Sequence, residues 1–253
     1  MLSREKTPLR IGILQTDEVE SVLQARFGNL ASMMESMLCR AQVARFDIHV
    51  FKVHEGEEPI DIRAYDGFLL TGSRKGVYDD DPWIGRLLTL IRRLHAAKIK
   101  TIGICFGHQA IAAALGGRVQ KFAKGWGVGV QHYRLVDSSL ARRNGLGDSV
   151  ALPCCHQDQV IKLPPAANHI LTNDFCENAG FAIGEHMLAV QPHPEFSVTY
   201  LECILRMIES RIGAPFAAAI ESLKRPTDND LIAKLIAAFY LGLDVAALAD
   251  IET

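Results

Sequence analysis

One cysteine of the chain stands where its sulfur would be reactive. Cys105 follows the apolar run Ile102-Gly103-Ile104 and opens a helix-forming stretch, with Gly103 and Gly107 on either side. Small residues at both positions permit a sharp strand-to-helix turn that pushes the side chain between them outward. The first N–H groups of the helix and its dipole then favour a sulfur anion. A free thiol with a pKa of about 8.5 is only a few per cent ionised near neutral pH, so a setting that favours the anion raises reactivity directly. The other cysteines (39, 154, 155, 176 and 203) scatter without framework spacing, and most of them read as small buried hydrophobes.

A nucleophile needs a base, and Gln191-Pro192-His193-Pro194-Glu195 offers one. Two prolines restrict the backbone around His193, and Glu195 is placed to accept one ring N–H and leave the other nitrogen free. Of nine histidines this is the one so framed. Each segment alone also reads as an ordinary turn. Their shared position after an apolar strand, at the carboxyl edge where ligands collect in open α/β sheets, points to chemistry.

The elements that would carry these residues alternate. Strands are expected at Leu9–Leu14, Phe46–Val53, Phe68–Leu70, Ile99–Ile104 and Met187–Gln191. Helices are expected over roughly Val19–Arg40, with a break at Gly28-Asn29, from Pro82 to about Ala97 behind an Asp81 cap, and over Gln109–Leu115. This order argues a mostly parallel sheet with helices on both faces. From Arg118 to about Val190 the pattern turns to Val-rich alternation, an antiparallel β insertion. Ser197–Arg211 and Asp228–Leu243 read as closing helices. The expected organisation is one α/β domain over 1–212 and a C-terminal helical extension over 213–253.

At these residues the chain resembles the class I, or triad-type, glutamine amidotransferases. The likeness rests on Gly103-Ile104-Cys105-Phe106-Gly107-His108-Gln109, on Pro192-His193-Pro194-Glu195, on Leu69-Leu70-Thr71-Gly72-Ser73 and on His156-Gln157-Asp158. Gly72–Trp83 is similar to stand-alone members resembling the amidotransferase half of GMP synthase. The resemblance implies a flavodoxin-like fold, with Cys105 as nucleophile, His193 as general base and acid, and Glu195 orienting it. It implies oxyanion donors at the Phe106 N–H and the Gly72-Ser73 turn, where Ser73 replaces a usual glycine. Gln109, His156 and Asp158 are implied as substrate-binding residues. The implied reaction hydrolyses the γ-carboxamide of glutamine through a cysteine thioester, giving glutamate and ammonia. With 253 residues and no room for a synthetase domain, ammonia is expected to pass to a separate synthetase partner.

Two rivals follow from the same residues: a γ-glutamyl hydrolase acting on a γ-glutamyl amine or peptide, and a non-catalytic redox or binding protein. An open, charged rim at Arg74, Lys75 and Asp79–Asp81 would favour the former over a glutamine-only pocket. The balance of 27 basic against 29 acidic residues gives no footprint for nucleic acid or anionic lipid. No signal peptide or spanning segment is read, so a cytoplasmic location is expected. No phosphate-loop pattern calls for a nucleotide cofactor. Cys154-Cys155-His156, with His186 elsewhere, lacks zinc-ligand spacing, so no metal is expected.

Overall fold

In the computed structural model of the protein, residues 7–136 and 147–243 are described. The expectations for Met1–Lys6 and for 244–253 fall outside them, as does the 137–146 part of the antiparallel stretch.

The first half delivers β1 (Leu9–Gln15), α1 (Ser21–Phe27), α2 (Leu30–Arg40), β2 (Phe46–Lys52), β3 (Gly67–Leu70), α3 (Pro82–Ala96), β4 (Lys100–Ile104) and α4 (Phe106–Ala114). Gly28, at φ +76°, ends α1, and Asn29 starts α2 by exchanging side-chain and backbone hydrogen bonds with Ser32. Asp81 does precede Pro82 at the start of α3, but its side chain does not cap the helix. It pairs with Lys75 Nζ at 2.8 Å instead.

The second half runs β5 (Arg118–Lys121), β6 (Gly127–Leu135), β7 (Ser149–His156), β8 (Asp158–Lys162), β9 (Asn168–Thr172), β10 (Gly180–Ile183) and β11 (Met187–Val190). It closes with α5 (Val198–Met207), α6 (Glu209–Ile212), α7 (Phe216–Ser222) and α8 (Asn229–Leu241).

The main sheet has the order β2-β1-β3-β4-β11-β10-β9-β6-β7. Its first five strands are parallel, in the order of a flavodoxin-like sheet. The antiparallel strands do not form a layer of their own: β10, β9, β6 and β7 extend the same sheet, and only β5 and β8 pair apart from it.

The parallel strands read as unbroken apolar runs because both of their faces are covered. On one face Ile11, Ile13, Leu69, Ile102, Ile104, Leu188 and Val190 pack with α2 and α8; on the other Leu14, Phe68, Leu70, Met187 and Ala189 pack with α3 and α4. Each fully buried Leu or Ile contributes about 1.5–3 kcal/mol relative to exposure.

Residues 228–241 are bound at both ends: Asp228 exchanges backbone and side-chain hydrogen bonds with Ala151, and the Tyr240 hydroxyl donates to Phe68 O at 2.8 Å. Gly67 makes room for that ring, since a Cβ there would lie 2.4 Å from it. Among the described residues no helix is long and apolar enough to cross a membrane.

Candidate active site

Adjacent parallel strands β3, β4 and β11 end side by side, and Gly72, Cys105, His193 and Glu195 follow those ends, whereas His156 closes β7 and Asp158 opens β8. Cys105 sits at φ +55°, ψ −102°, a conformation that L-residues avoid. Two glycines make the turn feasible. A Cβ on Gly103 would lie 2.5 Å from the Gly107 carbonyl, and one on Gly107 would lie 2.7 Å from Leu70. Hydrogen bonds then hold the bend, from Cys105 N to Val190 O at 2.9 Å and from Gly107 N to Thr71 O at 3.1 Å.

His193 follows β11, its backbone N–H held by Pro153 O at 2.8 Å. Nδ1 bonds Glu195 Oε1 at 2.7 Å, both side chains being almost fully buried. Burial alone would lower the His193 pKa. The Glu195 charge, then Cys105 and the hydrogen bonds to both, outweigh it and raise the value to about 10. With Nδ1 taken by Glu195, Nε2 is the ring nitrogen left for Cys105. The third wall is Gly72: a Cβ there would lie 3.1 Å from His193 Cε1 and 3.7 Å from Cys105 Cβ. The structure thus brings Cys105, His193, Glu195 and Gly72 together.

The Gly72 turn is fixed from β1. The Thr16 hydroxyl lies 2.7 Å from Gly72 O and 2.9 Å from Thr71 Oγ1. Ser73 is half-buried, and its Oγ accepts from Lys75 N at 3.1 Å. Phe106 opens α4 with its ring buried beside Trp83.

The remaining expected residues gather on the opposite wall. Gln109 Nε2 donates to Asp158 O at 3.0 Å and to Gln191 Oε1 at 3.1 Å, and His156 Nδ1 lies 3.1 Å from Asp158 O. Burial lowers His156 to about 4, so it is neutral. The Asp158 carboxylate faces outward and accepts from the Tyr78 hydroxyl at 2.8 Å. His108 is turned away into the core against Phe181, its pKa lowered to about 3, chiefly by burial.

Sequence reasoning passed over Thr16, Gln191 and Phe196. Phe196 stacks on His193, and Gln191 completes the Gln109 contact. The position of Gln191 directly after β11 was the available signal. Cys154 and Cys155 point to opposite faces of β7, and His186 is bonded to His95, so the cysteine–histidine group does not assemble.

The rim is charged. Arg74 binds Asp17 at 2.7 Å and also Glu20, while Lys75 binds Asp81. Arg74 and Lys75 keep 60% and 52% of their side-chain surface exposed.

Comparison with known proteins bears on the family and the fold. A family model described as "Glutamine amidotransferase class-I" matches residues 27–204. Gamma-glutamyl peptidase 3 of Arabidopsis thaliana is 33% identical over 171 residues, covering 64% of this chain and 69% of that protein. A glutamine-hydrolyzing GMP synthase component of Methanosarcina acetivorans is 32% identical over 135 residues, 53% of this chain and 66% of that one. The crystal structure of a glutamine amidotransferase from Thermotoga maritima shares the fold, with a TM-score of 0.71 and 20% identity over 93% of this chain and 97% of its own. With the family model spanning most of the sequence, the chain belongs to the class-I glutamine amidotransferase family.

Proposed function

We propose that the protein is a cysteine amidohydrolase that cleaves γ-glutamyl amide bonds, with γ-glutamyl amines or peptides as its substrate class and glutamine as the smallest member. The observation that carries the reading is the buried His193–Glu195 pair set against Cys105 at a strained elbow.

The Cys105 sulfur attacks the γ-carbonyl carbon, and the carbonyl electrons move to oxygen. The N–H of Phe106 and an N–H of the Gly72-Ser73 turn stabilise this oxyanion, and losing one such donor costs about 3 kcal/mol. Protonated His193 gives its Nε2 proton to the leaving nitrogen, the C–N bond breaks, and a γ-glutamyl thioester remains on Cys105. The neutral imidazole then takes a proton from water as its oxygen attacks the thioester. Collapse of that intermediate expels the Cys105 thiolate and frees the γ-glutamyl carboxylate. Glu195 holds the ring and supports its charge throughout. Gln109, His156 and Asp158 form the wall that receives the far end of the γ-glutamyl group.

The rim bears on substrate size. Exposed Arg74 and Lys75 beside the cleft suit a leaving group larger than ammonia, and a relative carries the name gamma-glutamyl peptidase. Glutamine hydrolysis in the service of a separate synthetase is the second reading, supported by the likeness to the Methanosarcina GMP synthase component.

The test is turnover of glutamine, γ-glutamyl amines and γ-glutamyl dipeptides by wild type and Cys105→Ala. Peptide turnover exceeding that of glutamine, and lost in the variant, is the expected result. Preference for glutamine selects the second reading. A chain that turns over none of them while Cys105 oxidises reversibly would be a redox or binding protein.

A further inference from the structure

The loop from Thr71 to Asp81 does more than deliver Gly72 to the site. Its residue 78 crosses to the other wall: the Tyr78 hydroxyl donates to Asp158 Oδ2 at 2.8 Å, joining segments eighty positions apart. The reach is built into the local backbone. Gly76 and Asp79 close a tight turn, with Gly76 N donating to Asp79 Oδ2 and Asp79 N to Gly76 O, each at 3.0 Å. Val77 is buried among the side chains under α3 and anchors the turn. Gly76 clears the way, since a Cβ there would lie 2.8 Å from the Tyr78 ring and 3.1 Å from Asp158 Oδ2.

The far anchor is equally defined. Asp158 is tied through its carbonyl to Gln109, one helical turn beyond the nucleophile. The tyrosine contact therefore connects the Gly72 side of the cleft to the Gln109 side. Behind these two sides, Cys105 is 6% exposed and His193 3%. The Tyr78 ring, by contrast, is more than half exposed and held at its tip by this one bond. A large side chain fixed so lightly, between walls that are each fixed firmly, is the movable part of the assembly.

We infer that Tyr78 is the gate of the cleft: it leaves Asp158 to admit substrate to Cys105, and it selects for leaving-group size as it does so. The selectivity part rests on the γ-glutamyl reading above, whereas the gating part does not. A small amide needs a brief, narrow opening. A γ-glutamyl peptide needs the tyrosine displaced for as long as its leaving group occupies the rim.

The gate is tested on the full-length protein by site-resolved alkylation with iodoacetamide, read by peptide mass mapping. Exposed Cys39 serves as the reference thiol. Burial raises the pKa of both Cys155 and Cys176 to about 12, so they stay slow. Tyr78→Phe keeps the ring and removes the bond, and it is expected to speed Cys105 alkylation about fivefold relative to Cys39. It is also expected to raise kcat/KM for γ-glutamyl-4-nitroanilide more than for glutamine. Tyr78→Ala reads the same quantities with the ring removed, and thermal melting verifies the fold of both variants. Unchanged Cys105 alkylation in either folded variant overturns the gate, whatever the turnover. Faster alkylation with equal gains for both substrates leaves gating but removes selectivity. Faster alkylation in a protein that hydrolyses neither substrate sustains the gate and sinks the γ-glutamyl reading.

Discussion

Phe196 lies flat on the imidazole of His193, with ring centroids 4.0 Å apart and planes within 5° of parallel. Its ring is braced in turn by Tyr200, edge-on at 4.7 Å. Glu195 fixes one edge of the imidazole, and Phe196 fixes its plane. Phe196→Leu keeps most of the apolar volume but frees the ring to tilt. It should lower kcat about tenfold, equivalent to ~1.4 kcal/mol in the barrier, with KM nearly unchanged. Steady-state kinetics beside a urea midpoint separates this from simple loss of folded protein.

The charge on His193 sets a pH window. The unfolded chain releases this proton near pH 6.5, and the folded one near 10. The stabilisation from the bound proton is therefore full below pH 6.5, declines as pH rises, and is gone above about 10. Glu195 is the largest contributor to the upward shift, so Glu195→Gln should move the alkaline limb of kcat/KM toward neutrality. It should also flatten the fall in stability between pH 6.5 and 10. An alkaline limb that stays in place would contradict the assignment of Glu195 as the partner charge.

Buried histidines act at the other end of the scale. His108 and His156 are lowered to about 3 and about 4, mainly by burial, so between there and pH 6.5 the unfolded chain binds more protons than the folded one. Stability should fall as pH drops from 6.5 to 4. His108→Gln should make that slope shallower even though its stability at pH 7 is lower. Urea midpoints at pH 7, 5.5 and 4 measure both effects.

The elbow carries strain that substitution can release. Cys105→Gly removes the Cβ from a residue at φ +55°, and it should be about 1 kcal/mol more stable than Cys105→Ala after the greater freedom of the unfolded glycine is subtracted. Gly103→Ala should do the opposite and cost about 1–3 kcal/mol, because its methyl meets the Gly107 backbone at 2.5 Å. A Cys105→Gly variant less stable than Cys105→Ala by the full entropic cost of glycine, about 0.5–1 kcal/mol, would show that the turn holds no strain.

Much of this was legible in the chain because the causes are local. Gly103 and Gly107 mark the elbow, and strands buried on both faces leave apolar runs that need no partner to be recognised. What was hidden depends on distant pairing. Nothing near Gly127–Leu135 reveals that it joins the main sheet through β9 rather than a layer of its own, since that contact is made by Arg134 and Leu135 with Thr172 and Leu171. The helix Phe216–Ser222 is only seven residues, three of them alanine, too short to show a periodicity. The aromatic at 196 reads as the entry to a helix, and its stacking on His193 exists only once β11 has placed both. Asp81 kept its position at the start of α3, but the nearby Lys75 competed for its carboxylate.

Strand β11 lies directly beside β4 in space, yet in the chain a long antiparallel excursion intervenes. On the ribosome, the sulfur of residue 105 is therefore made well before the imidazole that would activate it. A polypeptide stalled or cut ahead of Met187 lacks the strand that fills the sheet between β4 and β10, and with it both His193 and Glu195, so Cys105 has neither of its proposed partners.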